Sequence, residues 1–219
     1  MKRRILSDQK RKALRRVLIA AAALVLINHF LMIGLLFPFQ ALRRCEERAG
    51  TGRTSVVCRE RAKEIGWSCL IYLTGNENAT MLSNISLGPL GWGEGEGLVL
   101  DCSGDAPLHG GWWSASREER FVLYVFGRVD DADIARLEVR LQYKDWDAGG
   151  ERRTALTWMS SREDWMEKEG RRYFLFRTYP PFDWSGYRSA FYLVAIGYDA
   201  GGEEIAYVEL EQGASSSYS

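Results

Sequence analysis

The longest apolar run of the chain lies near its N-terminus. Residues 17–39 read VLIAAAALVLINHFLMIGLLFPF and contain no aspartate, glutamate, lysine or arginine. As a helix that rises about 1.5 Å per residue, this run would reach roughly 34 Å, which is enough for a bilayer hydrocarbon core of about 30 Å. The pattern therefore predicts one transmembrane helix over residues 17–39.

The residues around this run predict its orientation. Residues 1–16 carry eight basic side chains and one acidic side chain, and basic residues are retained on the cytoplasmic side of a membrane. We expect a cytoplasmic stub over residues 1–16, a single-pass location in the cell membrane, and a C-terminal region outside the cytoplasm. A cleaved signal peptide is the alternative, but its apolar region normally has about 7–15 residues and ends in a small-x-small site. The sequence Phe39-Gln40-Ala41 does not fit such a site, so we predict an uncleaved signal anchor.

The rest of the chain reads as a succession of strands. Residues 120–126, RFVLYVF, form a continuous apolar run that favours a strand buried on both faces. Residues 135–143, ARLEVRLQY, alternate between polar and apolar positions and predict a strand with one face of each kind. Residues 199–202, DAGG, predict a hairpin turn between the last two strands. Roughly seven to nine such strands with little helix predict an antiparallel β-sandwich over residues 54–212.

Three short segments complete the predicted organisation. Residues 40–53 are charged and end in Gly-Thr-Gly-Arg, which is typical of a connector. Residues 161–168 are the one helical segment expected after the membrane span, because Ser161 followed by Asp164 resembles a helix cap. Residues 213–219 are rich in glycine and serine, and we expect a disordered tail.

Two segments resemble repeated features of immunoglobulin-like extracytoplasmic domains of membrane-anchored bacterial surface proteins. They are residues 126–145, FGRVDDADIARLEVRLQYKD, and residues 191–210, FYLVAIGYDAGGEEIAYVEL. In that family a strand leads through a short acidic turn into an alternating strand, and a glycine-containing hairpin closes the domain. The resemblance covers residues 126–210. It implies an immunoglobulin-like sandwich, and such domains generally bind partners or act as spacers.

The formal net charge of zero conceals an acidic body. Of the 29 basic and 29 acidic residues, 21 basic and 28 acidic residues lie beyond residue 16, which is a net charge of −7. An acidic surface repels the phosphate backbone. We therefore expect no nucleic acid among the partners.

The cysteines are the main candidates for covalent structure. All four follow the predicted span: Cys45, Cys58, Cys69 and Cys102. In an oxidising compartment they permit two disulfides with three possible connectivities, and we expect Cys45 with Cys58 and Cys69 with Cys102. Buried free thiols are the other possibility. We expect no metal site, because Cys-x-x-Cys spacing is absent and only two histidines, His29 and His109, occur in the chain.

Three of the eight tryptophans are candidates for a binding surface. Trp112 and Trp113 follow two glycines in a predicted loop, and Trp184 lies in a proline-rich turn. Exposed aromatic side chains of this kind anchor protein partners or stack on sugar rings. We predict a partner or ligand surface on these three residues, with filling of the sandwich ends as the alternative.

Two polar residues interrupt the predicted span. Asn28 and His29 lie near its middle, where a polar side chain is costly unless it meets another helix or water. They predict a helix–helix contact within the membrane. Polarity tolerated in a long anchor is the alternative.

The sequence contains no arrangement typical of catalysis. His109 is the only histidine after the predicted span, and no Gly-x-Ser-x-Gly motif surrounds a serine. We expect no catalytic residue and no cofactor. The predicted function is a membrane-anchored, non-enzymatic accessory protein that docks onto another membrane or envelope protein. The alternative is a ligand-binding or sensory module that recognises a surface glycan or envelope component through the loop tryptophans.

Overall fold

The computed structural model describes residues 8–30, 35–63, 65–66, 68–89, 91–117, 120–145, 151–180, 191–213 and 216–218. Two helices come first, α1 (Asp8–Phe30) and α2 (Pro38–Ala49). Fourteen strands follow: β1 (Ser55–Arg61), β2 (Cys69–Gly75), β3 (Ala79–Gly88), β4 (Gly91–Asp101), β5 (Leu108–Arg117), β6 (Arg120–Val129), β7 (Arg136–Asp145), β8 (Glu151–Ser161), β9 (Met166–Lys168), β10 (Arg171–Thr178), β11 (Phe191–Tyr198), β12 (Glu204–Glu209), β13 (Glu211–Gln212) and β14 (Ser216–Tyr218).

The strands form three sheets. Sheet A has the order β1-β2-β3-β4, sheet B the order β13-β5-β6-β10-β9, and sheet C the order β12-β11-β7-β8. Sheet A is an antiparallel meander, because its neighbours in space are also neighbours in sequence. The short C-terminal strands β13 and β14 are different, since both pair with β5 in parallel.

Sheet B lies between the other two sheets. Its strands send alternate side chains to opposite sides, so that Trp112 packs with Leu137 of sheet C while Trp113 packs with Ile71 of sheet A. Residues 122–129 of β6 are all buried for the same reason. The prediction of a strand buried on both faces is therefore confirmed.

Helix α2 covers the outer face of sheet A. Its apolar side chains Ala41 and Leu42 pack against Tyr72, Met81 and Ile85. The helix begins at Pro38, whose missing N–H costs nothing in a first turn, and it ends at Gly50 in the left-handed conformation, with φ of 69°. The four layers are therefore α2, sheet A, sheet B and sheet C.

A buried carboxylate fixes the C-terminal half of α2 to the first strand of sheet A. Glu46 accepts hydrogen bonds from the Arg43 guanidinium, from the Thr54 backbone N–H at 3.1 Å, and from the Thr54 hydroxyl. A buried carboxylate is tolerated when it is paired and hydrogen-bonded in this way. Residues 40–49, predicted to be part of a connector, are therefore a structural helix.

The predicted transmembrane helix over residues 17–39 is wrong. The apolar run is not one helix, since residues 35–37, which lie between α1 (Asp8–Phe30) and α2 (Pro38–Ala49), are not helical. Between them, Leu35 pairs with Trp92 of β4 through two backbone hydrogen bonds of 3.1 and 2.7 Å. In the part of the chain that the structure describes, neither helix has the length and apolar character that a membrane span needs.

The physical reason for this error is the break before Pro38. Phe37 is extended, with φ of −129° and ψ of 144°, as expected for a residue that precedes proline. The first turns of α1 also carry Lys10, Arg11 and Lys12. The single-pass location in the membrane, and the orientation inferred from it, are contradicted by the same finding.

The β-rich character predicted for the region after α2 is confirmed, and the fold is compatible with the predicted β-sandwich, with three sheets among the described strands. The described strands form three stacked sheets, because both faces of sheet B are apolar and each is covered by a further sheet.

The predicted helix over residues 161–168 is a single 3₁₀ turn, Arg162–Asp164, followed by β9. The cap itself is present, since Asp164 accepts from the Ser161 N–H at 2.9 Å. In the predicted disordered tail, Ser216–Tyr218 form strand β14.

The predicted disulfides are absent, since none of the four cysteines is bonded to another. Cys45 lies on α2, outside sheet A, whereas Cys58 packs in the cluster between sheets A and B. Sheet A therefore separates the first predicted pair. The Cys69 thiol donates to Asn84 Oδ1 at 2.9 Å, and the Cys102 thiol lies 3.5 Å from Thr80 Oγ1.

The Cys45 thiol gives stability a pH dependence. Burial, reinforced by the nearby Glu94 carboxylate, raises the pKa of Cys45 from 9.0 to about 11. The folded protein thus holds this proton more tightly than the unfolded chain. Its contribution to stability is complete below pH 9 and is lost as the pH rises toward 11.

We expect the free energy of unfolding to fall less steeply between pH 9 and 11 in Cys45→Ala than in the wild type. Urea unfolding at several pH values across this window measures both slopes, and their difference isolates Cys45 from the other titrating groups. Equal slopes would contradict the assignment.

The buried side chain of Arg128 joins sheet B to sheet A. Its guanidinium donates to Asp130 Oδ2 from Nε at 2.8 Å, to the carbonyls of Asn76 and Glu77 at 3.2 and 2.9 Å, and to the Cys102 carbonyl at 2.8 Å. Asn76 and Glu77 form the turn between β2 and β3, and Cys102 follows β4. One side chain therefore supplies donors to two separate segments of sheet A.

Replacement of Arg128 by methionine should lower the free energy of unfolding by about 3 kcal/mol, because the carbonyls and Asp130 lose their donor. Urea unfolding followed by tryptophan fluorescence measures the loss. Arg177→Met is the matched control. Arg177 is partly exposed and lies 3.7 Å from Glu60, so its loss should cost less than about 1 kcal/mol. Equal losses of unfolding free energy in the two variants would show that Arg128 stabilises the fold no more than a partly exposed ion pair does.

The packing of β5, β6 and β10 requires a glycine at position 127. A Cβ atom on Gly127 would lie 2.1 Å from the His109 carbonyl oxygen and 2.5 Å from Phe174 Cζ.

We expect Gly127→Ala to lower the free energy of unfolding by more than about 3 kcal/mol, since the backbone would have to move. Gly104→Ala, where a Cβ atom meets nothing within 4 Å, should change stability by less than about 1 kcal/mol. Thermal unfolding of both variants tests the contrast, and a mild effect at Gly127 would contradict it.

Candidate functional site

The outer face of sheet C is the sheet face over which the described residues place no further layer. Sheet A is covered by α2 and sheet B, sheet B by its two neighbours, and sheet C on one side by sheet B. The strand register assigns these side chains to the outer face: Arg136, Glu138, Arg140, Gln142, Lys144, Arg152, Thr157, Met159, Tyr192, Val194, Ile196, Tyr198, Glu204, Tyr207 and Glu209.

This face follows from the alternation in β7. Leu137 and Leu141 point inward and are fully buried, whereas Glu138 and Arg140 point outward, as the sequence pattern predicts. On the neighbouring strand β11, the outward residues are partly apolar. Val194 is nevertheless buried, and its cross-strand neighbours are Arg140 and Glu209. The face therefore consists of long polar side chains over a small apolar floor.

A connected network holds the centre of this face. The Tyr198 hydroxyl donates to Glu138 Oε2 at 2.9 Å, and Arg140 donates to Glu138 Oε1 at 2.7 Å. Arg140 also lies 3.3 Å from the Tyr198 hydroxyl oxygen. The Arg136 guanidinium stacks over the Tyr198 ring at 4.7 Å from its centroid. The network fixes the orientation of four side chains from two strands.

At neutral pH Glu138 is negatively charged, Arg140 is positively charged and Tyr198 is neutral. The hydrogen bond from Arg140 lowers the pKa of Glu138, and the hydrogen bond to Glu138 raises the pKa of Arg140. Burial, followed by the hydrogen bond to Glu138, raises the pKa of Tyr198. The phenol is therefore a neutral donor between a carboxylate and two guanidinium groups.

A second contact group extends the surface to its edge. The Arg152 guanidinium lies over the Tyr192 ring at 4.2 Å from the centroid and is 3.6 Å from Glu209. Both charged side chains are substantially exposed, and exposed ion pairs contribute only about 0–1 kcal/mol to stability. This group of aromatic and charged side chains therefore adds little to the stability of the fold. A stabilising role does not account for its presence.

The structure places the predicted site residues elsewhere. Trp112 and Trp113 lie in the two cores that flank sheet B, with 4% and 1% of their surface exposed, so they are not available to a partner or ligand. Trp184 falls within residues 181–190, outside the described part of the chain. Asn28 and His29 belong to α1, but their side chains are also outside the described set, and the predicted helix–helix contact is not tested.

Sequence reasoning missed the aromatic part of this surface. The alternation in residues 135–143 assigns Arg136, Glu138 and Arg140 to one face, but it does not reveal which strands lie beside them. The pairing of Arg136 with Tyr198 and of Lys144 with Arg152 depends on register. The available signal was that Tyr192 and Tyr198 are six residues apart in one predicted strand and therefore lie on the same face of it.

The charged side chains of one cleft between sheets A and B serve the contacts that hold the fold together. The cleft measures about 430 Å³ and is bordered by Arg128, Asp130, Asp131, Asp105 and Arg171, among others. Its central pair, Arg128 with Asp130, is engaged in the contacts that join the sheets. Among the residues with described positions, no group of three or more histidine, cysteine or acidic side chains could hold a metal ion.

Comparison with known proteins assigns no family to the chain. No protein-family model matches it, and no curated protein matches its sequence.

Proposed function

We propose that the chain is a non-enzymatic interaction module whose outer face of sheet C docks onto an acidic surface of a protein partner. The observation that carries the proposal is the ordered tyrosine–arginine network on a sheet face with no described layer above it.

The side-chain chemistry favours a protein partner. Tyrosine and arginine are enriched among the residues that dominate the binding energy of protein interfaces. Exposed apolar area lies beside them, since Met159 and Tyr207 are 57% and 56% exposed. Because Tyr198 and Arg136 are already held in place, less conformational entropy is lost when they are covered.

The charge of the face favours an acidic partner surface. Within the outer face as defined, the four cations Arg136, Arg140, Lys144 and Arg152 exceed the three carboxylates, although the chain beyond residue 16 is acidic as a whole. A guanidinium stacked on an aromatic ring still presents its N–H edge in the plane of the group, where a carboxylate binds in a bidentate manner. A carboxylate-rich surface therefore complements this face.

The glycan-binding alternative has less support. It depended on loop tryptophans, and Trp112 and Trp113 are core residues.

The proposal predicts a specific crosslink from the edge strand β8 of the face, where Met159 lies opposite Glu138. The full chain, carrying the photoreactive residue p-benzoylphenylalanine in place of Met159, is irradiated in its native cells, and adducts are identified by mass spectrometry. We expect one dominant protein adduct, with the crosslinked peptide in a carboxylate-rich surface. The same photoreactive residue in place of Lys168, on β9 of sheet B, is the matched control and should not give that adduct.

Charge reversal then tests the role of the arginines. We expect Arg136→Glu combined with Arg152→Glu to weaken binding to the crosslinked protein at least about tenfold, and the affinity of the wild type to fall with added salt. Arg59→Glu combined with Lys168→Glu makes the same charge change at exposed positions of sheets A and B, away from this face, and should have little effect. Equal binding by both double variants, or no adduct at position 159, would overturn the proposal.

A further inference from the structure

A groove lies on the outer face of sheet A, beside the first turn of α2. Its volume is about 490 Å³, which falls within the range of roughly 300–1,000 Å³ that is usual for small-molecule sites. Four apolar residues and two cations of the edge strand β1 give the groove its chemistry. They are Pro38, Leu70, Leu87 and Trp92, and Arg59 and Arg61.

The floor of the groove is apolar and is held in place by the sheet. Leu70 and Trp92 pack against the cluster under α2, and Leu87 lies directly opposite Trp92 in the pairing of β3 with β4. Two backbone hydrogen bonds, of 3.1 and 2.7 Å, fix Trp92 to Leu35. The side chain of Leu87 is nevertheless 44% exposed, so a ligand can reach the floor.

Two guanidinium groups project from one face of β1. Arg59 and Arg61 lie opposite residues of β2 that pack on the α2 side of sheet A. Both arginines are exposed, and among the described residues neither guanidinium has a hydrogen-bond or ion-pair partner. Glu60, between them in sequence, points to the other side and lies 3.7 Å from Arg177 of sheet B. The N–H donors of both arginines are therefore available to an anion.

The first turn of α2 adds positive potential at the groove. Pro38 begins the helix and lines the groove, and the first turn contains no acidic side chain. The N–H groups at the start of a helix carry a partial positive charge that favours a nearby anion. On either side of Pro38, the stacked rings of Phe37 and Phe39 are 53% and 57% exposed. Positive charge and accessible apolar surface therefore meet at one place.

These features select an amphiphilic anion of low charge. A guanidinium group binds a carboxylate through two parallel hydrogen bonds, and the apolar floor favours an alkyl chain. A head group with two negative charges is less suited, because the chain beyond residue 16 carries a net charge of −7. The concave shape favours a small molecule over a flat protein surface.

We propose that this groove binds an alkyl carboxylate, whose head group pairs with Arg59 and Arg61 and whose chain lies on the apolar floor. The site is distinct from the outer face of sheet C, since sheet B lies between sheets A and C. Failure of one proposal therefore leaves the other intact.

Isothermal titration calorimetry of the full chain with decanoate tests the proposal. We expect decanoate to bind at least about tenfold more tightly than two matched ligands. One is decyltrimethylammonium, which has the same chain and the opposite charge, and the other is hexanoate, which has the same head group and a shorter chain.

Two double variants then locate the head group. Arg59→Gln combined with Arg61→Gln should weaken decanoate binding at least about tenfold, because charge-assisted hydrogen bonds are lost. Arg15→Gln combined with Arg16→Gln is the matched control, because it removes two exposed cations beside exposed apolar residues of α1. It should leave the affinity for decanoate unchanged. All four positions are exposed, and thermal unfolding confirms that both variants are folded.

The position of the alkyl chain is read from Trp92. In protein that contains 5-fluorotryptophan, the ¹⁹F resonance that is lost in Trp92→Phe should shift when decanoate is added. Equal affinity for decanoate in the wild type and the groove double variant would overturn the proposal. Equal binding of decyltrimethylammonium would also overturn it, as would a loss of affinity in the α1 double variant as large as that in the groove double variant.

Discussion

The layers of this protein depend on the guanidinium group of Arg128. It lies on the central sheet and donates to carbonyls in the turn after β2 and just beyond β4. The contact continues outward, because the amide of Asn76 donates to the Thr51 carbonyl at 2.8 Å, and the Thr51 N–H donates to the Glu46 carbonyl. Hydrogen bonds thus run from sheet B through sheet A to α2. The carbonyls involved come from segments distant in sequence, so their pairing fixes how sheets A and B are placed relative to each other.

The second constraint is that sheet B has no polar face. Adjacent residues such as Trp112 and Trp113 point into different cores, so the sheet can be buried only if both sides are covered. One cover is the meander β1 to β4, and the other is sheet C. Glycine at positions 110 and 127 of β5 and β6 lets Leu210 and Phe174 approach the backbone closely. The outer face of sheet C is therefore the sheet face that the described residues leave without a covering layer.

The sequence was sufficient for individual strands but not for their arrangement. The doubly buried β6, the alternating β7 and the hairpin closed by Gly202 follow from local periodicity and turn residues, and all three are confirmed. The number of sheets depends on which faces meet, and apolar runs do not encode this. The same limit explains the predicted membrane helix, in which apolar composition concealed the break before Pro38. It also explains the expected disulfides, since Cys45 and Cys58 are near in sequence but lie on opposite sides of sheet A. The resemblance to immunoglobulin-like domains stays a prediction.

The candidate surface illustrates why functional sites are harder to read from one sequence than cores are. A core position is recognised by its apolar side chain, but the outer face of sheet C is built from tyrosine, arginine and glutamate, which are ordinary surface residues when taken singly. What distinguishes them is that register brings Arg136 against Tyr198 and Arg152 against Tyr192. The stacked guanidinium groups stabilise the fold little, because they are exposed and screened by solvent. Side chains that are held in place with little gain in stability lose less conformational entropy when a partner covers them, and this property favours binding at the outer face of sheet C.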